Sequence, residues 1–187
     1  MRGCREQTTA VDCSTLGASA INAEGFVNID ARALPHVHFV VKELAEVKFI
    51  PPGSFDLVYM SHVLEHVPHQ AAGSVLEVVH GILRPGGVCR VAVPDFDALV
   101  RIYEADGRSL ERIIFPLFGG QDYAFNFHYA AFNEAWLTAL FKTAGFREVR
   151  RWDPDTCDHH DFTDASSLQV TVADRSYPIS LNLEGVK

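Results

Sequence analysis

The sequence predicts a single α/β domain, a mostly parallel, open β-sheet with helices on both faces and an antiparallel hairpin at its carboxyl-terminal edge. Three observations carry that expectation. Short apolar, β-branched runs alternate with stretches of helical periodicity. Gly, Pro and Asp-Gly punctuation separates them. The 187 residues, 48% hydrophobic and 21% charged, suffice for one buried core and fit the usual size of one domain. No repeat, low-complexity tract or linker divides the chain, so residues 1–187 read as one unit with an aromatic-rich insertion at about 107–132.

Val11–Leu16 and Gly25–Asp30 read as the first two strands. They lie too close for a full crossover helix, so that helix is expected to be shortened or absent. His38–Val41 and Phe55–Ser61 follow as strands three and four. Gln70–Leu83 then sets Val75, Leu76, Val79 and Ile82 at helical spacing, and Arg84-Pro85-Gly86-Gly87 stops it before the strand Val88–Pro94. Strand, helix, strand is the signature of a right-handed parallel crossover. Asp95 is placed to cap a helix that turns Phe96, Leu99, Val100 and Tyr103 inward and ends at Asp106-Gly107. Asn133–Ala144 presents Trp136, Leu137, Leu140 and Phe141 on one stripe, stops at Gly145 and leads into the strand Phe146–Trp152. Ser167–Ala173 and Ile179–Leu183 alternate apolar with polar residues around Tyr177-Pro178, which gives the expected hairpin. The irregular stretch from Gly107 to Phe132 is rich in rings, suited to walling a substrate pocket, to a homodimer contact or to covering the sheet's end.

A formal charge of −8 and a pI near 5.5 give no cationic footprint for nucleic acid or an anionic membrane. No apolar run approaches the roughly 18–20 residues that cross a bilayer, and the amino terminus lacks the apolar stretch of a signal peptide, so a cytoplasmic protein is expected. Cys4, Cys13, Cys89 and Cys157 are scattered, as reduced thiols are, with no paired spacing for a zinc knuckle.

In open parallel sheets ligands sit beyond the carboxyl ends of the strands, so the residues there are the informative ones. The first strand is followed by Gly17-Ala18-Ser19, where glycine allows close approach of backbone to a ligand. The second ends in Asp30, an acid suited to ribose hydroxyls. Glu43 and Leu44 follow the third, Ser61-His62-Val63-Leu64-Glu65-His66 the fourth and Pro94-Asp95 the fifth. No G-x-G-x-x-G follows the first strand, which disfavours a dinucleotide-dependent dehydrogenase.

The runs Gly25–Asp30, Gly53–His66 and Leu83–Asp95, with Ala144–Val149 and Ile179–Glu184, resemble the Rossmann-like class I S-adenosylmethionine-dependent methyltransferases over almost the whole chain. The likeness is to a compact, type 11-like subfamily often linked to glycan or lipopolysaccharide biosynthesis. It implies S-adenosylmethionine as cofactor and a small-molecule or saccharide-linked methyl acceptor. It also implies Gly17, Ala18 and Ser19 as the cofactor loop, Asp30 on the ribose, Glu43 and Leu44 beside the adenine, and Ser61 and His62 on the sulfonium and acceptor side. The family loop usually has a second glycine where Ser19 stands, and the adenine-side acid is usually Asp rather than Glu43.

For an acceptor hydroxyl, His62, His66 and His128 are the candidate bases, with Asp95 as partner or alternative. His66 could instead brace the turn before Val67-Pro68. The reduced glycine loop leaves a second reading, a degenerate methyltransferase fold kept as a binding or scaffold subunit without catalysis. A metal is not expected. His62-x-x-Glu65-His66 matches an inverted zinc-protease motif, but that motif needs a helix, whereas here it follows a strand and precedes Pro68. Asp158-His159-His160-Asp161 with Cys157 reads as a polar loop, and Arg147, Arg150 and Arg151 as a solvated strand edge, with phosphate recognition the sharper alternative.

Overall fold

The computed structural model describes residues 13–17, 22 and 25–187. Among the described residues seven strands form the central sheet: β1 (Cys13–Leu16), β2 (Phe26–Asp30), β3 (Phe39–Val40), β4 (Phe55–Ser61), β5 (Leu83–Pro94), β6 (Glu148–Arg151) and β9 (Ser180–Val186). Their order is β3-β2-β1-β4-β5-β9-β6, with β1 through β5 mutually parallel and β9 antiparallel to both neighbours. The order turns back between β1 and β4, which opens a crevice at their carboxyl ends. This is the mostly parallel, Rossmann-like sheet the sequence predicts.

The β4 run Leu57–Met60 is buried throughout, as a strand covered on both faces must be. On one face α1 (Ala72–Ile82) and α4 (Glu134–Thr143) press Val75, Leu76, Val79, Leu137 and Phe141 into the main core. Asn133 caps α4 by accepting from Trp136 N at 3.1 Å. The opposite face carries Tyr59, Ala92 and Trp152, and the Trp152 indole donates to Val91 O. Beyond the end of β5, α2 (Phe96–Ala105) and α3 (Ile114–Phe118) lead into the aromatic segment, and Leu99 and Ile102 pack on Tyr177 and Ile179. Phe96 and Val100, expected inward, are exposed, because the buried stripe of α2 runs through Ala98, Leu99 and Ile102. No helix among the described residues is long and apolar enough to cross a membrane.

The antiparallel hairpin is present with different partners. β7 (Gln169–Val172) pairs with β8 (Arg175–Pro178) around Ala173-Asp174, and Ala173 takes the left-handed backbone that such a tight turn needs. Pro178, which has no N–H, ends it. Ser180–Val186 leaves the hairpin and enters the sheet between β5 and β6. Its polar face meets protein rather than water. Ser180 Oγ donates to Ala165 O, Asn182 Nδ2 donates to Ser166 O, and Glu184 accepts from Arg90 and Arg150. The link of β1 to β2, with Ala18 and Ser19, lies mostly outside the described residues, and with it the expected shortening of the first crossover.

Candidate functional site

A cavity of about 420 Å³ lies in the crevice at the carboxyl ends of the strands, within the size range of small-molecule sites. Each of the first four strands delivers a residue to its wall: Gly17 after β1, Asp30 at the end of β2, Glu43 and Leu44 after β3, and His62 after β4. Tyr123, Phe125 and Tyr129 of the aromatic segment close the far side.

Gly17 has a positive φ of 71°, and a Cβ there would stand 2.3 Å from Val63 Cγ2. Both facts demand glycine, and the second assigns part of the demand to packing against the turn after β4 rather than to a ligand. Asp30 is buried, and its Oδ1 accepts from Arg32 N at 2.8 Å and Arg32 Nε at 3.2 Å. The Arg32 guanidinium stands 5.6 Å from the Tyr123 ring, tying the β2 end to the aromatic wall. Glu43 begins a short 3-10 helix in which Glu46 accepts from the N–H groups of Lys42 and Glu43 at 2.8 and 3.1 Å. That fixes the backbone beside Glu43 and leaves its side chain exposed at the cavity.

The turn after β4 is under strain. His62 has φ 51°, unusual for a residue with a side chain. Its ring is held at both ends. Nε2 lies 2.7 Å from Ser180 Oγ, whose own hydrogen goes to Ala165 O, and Nδ1 lies 3.2 Å from Glu65 Oε1. Both ring nitrogens are thus turned to protein atoms, Ser180 and Glu65, rather than to a substrate proton in the cavity. His66, which also lines the cavity, puts Nδ1 3.1 Å from Phe127 O, and His128 puts Nδ1 2.9 Å from Pro116 O. A carbonyl can only accept, so each of these rings carries hydrogen on Nδ1, and the lone pair of the neutral ring is on Nε2. Burial pushes His128 below the ordinary imidazole value, although the charge of Glu65 opposes that shift.

Glu65 is fully buried beneath these rings. Burial opposes its charge, but His62, then His66 and His128, outweigh burial and hold the carboxyl below its ordinary value. Its main-chain carbonyl accepts from Tyr129 N at 2.7 Å and Ala130 N at 3.2 Å, which anchors the aromatic segment over the site.

Of the site residues taken from the sequence, Gly17, Asp30, Glu43, Leu44, His62 and His66 meet at the cavity. Ser61 shares the Tyr59 face of β4 by strand alternation and is not on the cavity wall. Asp95 caps α2, accepting from Asp97 N at 3.0 Å, and also lies off the wall. His128 sits behind, facing Glu65. Ala18 and Ser19 are outside the described residues. Arg32 was not singled out by sequence, Glu65 entered only through the discounted zinc-protease motif, and Tyr123 only as one ring of the aromatic segment; for Arg32 the usable signal was its position two residues past an acid at a strand end.

Strand order and cavity together define a class of fold, that of the class I S-adenosylmethionine-dependent methyltransferases. Residues 2–91, from the amino terminus into β5, match the family described as Methyltransferase domain. Among solved structures, an S-adenosylmethionine-dependent methyltransferase from Archaeoglobus fulgidus is 14% identical, with a TM-score of 0.60 over 95% of this chain and 86% of that one. The 1,6-didemethyltoxoflavin-N1-methyltransferase of Burkholderia thailandensis, with bound 1,6-didemethyltoxoflavin and S-adenosylhomocysteine, is 19% identical, with a TM-score of 0.57 over 95% and 71%. An S-adenosylmethionine-dependent methyltransferase from Mesorhizobium loti is 17% identical, with a TM-score of 0.55 over 95% and 91%. No curated protein matches the chain in sequence.

Proposed function

We propose that the chain is an S-adenosylmethionine-dependent methyltransferase acting on a small-molecule or saccharide-linked acceptor. The observation that carries this reading is the cavity at the β1/β4 switch point, to which the ends of four successive strands each bring a residue. The donor set suits an adenosyl ligand. Asp30 offers a buried carboxylate for ribose hydroxyls, Leu44 an apolar flank for adenine, and Glu43 an exposed carboxylate beside it. A bound sulfonium supplies an activated methyl group with its own leaving group, so the protein's work is to orient the acceptor and take its proton. Tyr123, Phe125 and Tyr129 form the acceptor side and keep water from it. His66 Nε2 is the base on the cavity wall with a lone pair to use; His62 and Glu65 act as positioning residues beneath it.

Calorimetric titration of the folded chain with S-adenosylhomocysteine tests the reading. Saturable one-to-one binding, weakened most by Asp30→Ala, supports it. A folded protein that binds none at millimolar ligand would leave the scaffold reading in its place.

A further inference from the structure

The turn after β4 and the aromatic segment bring together Glu65, His66 and His128, a cluster of more groups than a single general base needs. One potential ligand atom each from Glu65, His66 and His128 falls within 4.8 Å of the other two. His128 Nε2 stands 4.0 Å from Glu65 Oε1. The carboxylate has no exposed surface, and neither of its oxygens has a hydrogen-bond donor among the described residues, the His62 contact being an ion-pair approach rather than a directed bond. A buried carboxylate so placed loses the solvation of its charge without full replacement. Something of positive charge and several bonds would supply it.

The imidazoles are arranged to complete such a site. His66 and His128 each donate Nδ1–H to a main-chain carbonyl, which fixes the tautomer and leaves Nε2 with its lone pair. This backing by a carbonyl is how metal-ligating histidines are usually oriented. His62 Nδ1 stands against the same carboxylate and itself rests on Ser180, as a group that orients a ligand oxygen does.

We propose that Glu65, His66 and His128 bind one divalent transition-metal ion of the zinc class, with a fourth position open to the cavity that His66 lines. Two imidazoles and one carboxylate form a borderline donor set that suits Zn2+ and its neighbours better than Mg2+ or Ca2+. Tetrahedral ligands about 2.1 Å from zinc are roughly 3.4 Å apart, so ligand atoms now within 4.8 Å of one another need to close by up to about 1.4 Å. The arrangement differs from the inverted zinc-protease motif that the sequence brought to mind, because His62 serves the carboxylate, and His128, far along the chain, takes its place. An ion there would hold an acceptor oxygen in its open position and lower the pKa of that oxygen. That role rests on the methyltransferase reading, and in the metal-bound chain the ion takes over from His66 the task of drawing off the acceptor proton, because a ligating Nε2 has no lone pair to give. The binding of metal itself does not rest on that reading.

Co2+ titrated into the chelator-treated full-length chain, followed by visible absorption and calorimetry, is the test. One Co2+ per chain is expected, with the d–d absorption of a low-coordinate nitrogen and oxygen site and displacement by Zn2+. Glu65→Gln and His128→Ala should each weaken binding by roughly tenfold or more, whereas His159→Ala on the surface should leave it unchanged. Circular dichroism confirms folding of each variant, and if Glu65→Gln does not fold, His128→Ala decides. A folded wild-type chain that takes up no stoichiometric Co2+, or binding untouched by His128→Ala, overturns the site. S-adenosylhomocysteine titrated into the same samples reports separately on the cofactor, so failure of one reading is told apart from failure of the other.

Discussion

Replacing Gly17 by Ala distinguishes a glycine needed by the protein from one needed by a ligand. The added Cβ would stand 2.3 Å from Val63 Cγ2 and 2.8 Å from Cγ1, and Val63, β-branched and nearly buried, has little room to turn away. The left-handed backbone at φ 71° adds about 1–2 kcal/mol for a residue with a side chain, and overpacking adds about 1–3 kcal/mol. Gly17→Ala should therefore lower stability by about 2–5 kcal/mol. For a chain of this size each kcal/mol is worth about 2–4 °C, so the melting temperature should fall by on the order of 10 °C. Val63→Ala removes the methyl groups in the way, at a cost of roughly 2 kcal/mol in lost burial. In the double variant the overlap is relieved, so the two losses should fall short of additivity by about 1–3 kcal/mol while the backbone cost remains. Thermal and urea unfolding of the four proteins measures this. Unchanged stability in Gly17→Ala, with only S-adenosylhomocysteine binding lost, would refute the packing argument, as would strict additivity.

Glu184, 4% exposed, accepts from Arg90 Nε at 2.8 Å and Arg150 Nε at 2.7 Å across the three strands β5, β9 and β6; Glu184→Ala leaves the mostly buried Arg90 with the Asp158 carbonyl but no carboxylate and should cost about 3 kcal/mol in urea unfolding. A loss under about 1 kcal/mol would contradict that. Phe132→Ala empties a fully buried site stacked on Trp136 with ring centroids 4.8 Å apart, and should cost about 3–5 kcal/mol with a changed near-ultraviolet spectrum; retention of both would show the ring to be dispensable. Burial opposes the charge of Asp164, but bonds from His160, Ser166 and Tyr59 outweigh it and hold the carboxyl well below its ordinary range. The stabilisation it contributes is then complete above an unfolded-state value of about 4 and is lost as pH falls below it. Asp164→Asn should flatten the acid limb of stability measured between pH 6 and 3, and an unaltered limb would refute the assignment.

The fold was legible because local signals agreed with one another. The stripe Val75, Leu76, Val79 and Ile82 is the face α1 buries, Asp95 and Asn133 cap the helices they precede, and Asp30 stands at a strand end as the topology requires. The carboxyl-terminal strands were less so. Ser180, Asn182 and Glu184 alternate with Leu181 and Leu183 as on a half-solvated edge, but what they face is the loop of Ala165 and Ser166 and two arginines, and periodicity alone cannot tell those partners from water. The site divides along the same line. Residues placed by strand ends were found from sequence, whereas Arg32 and Tyr123 meet only because the aromatic segment folds back over the cavity. His128 joins Glu65 through the same fold, and nothing in their spacing along the chain announces it. Gly17 was expected to serve a ligand, and Val63 supplies a reason that no local pattern contains.

The most direct test is a crystal structure of the chain grown with S-adenosylhomocysteine. The ribose should lie on Asp30, the adenine against Glu43 and Leu44, and the sulfur should face His62 and His66 at the mouth of the aromatic wall. Adenosyl density elsewhere on the protein, or a cavity left empty at saturating ligand, would contradict the assignment of this crevice as the methyl-transfer site.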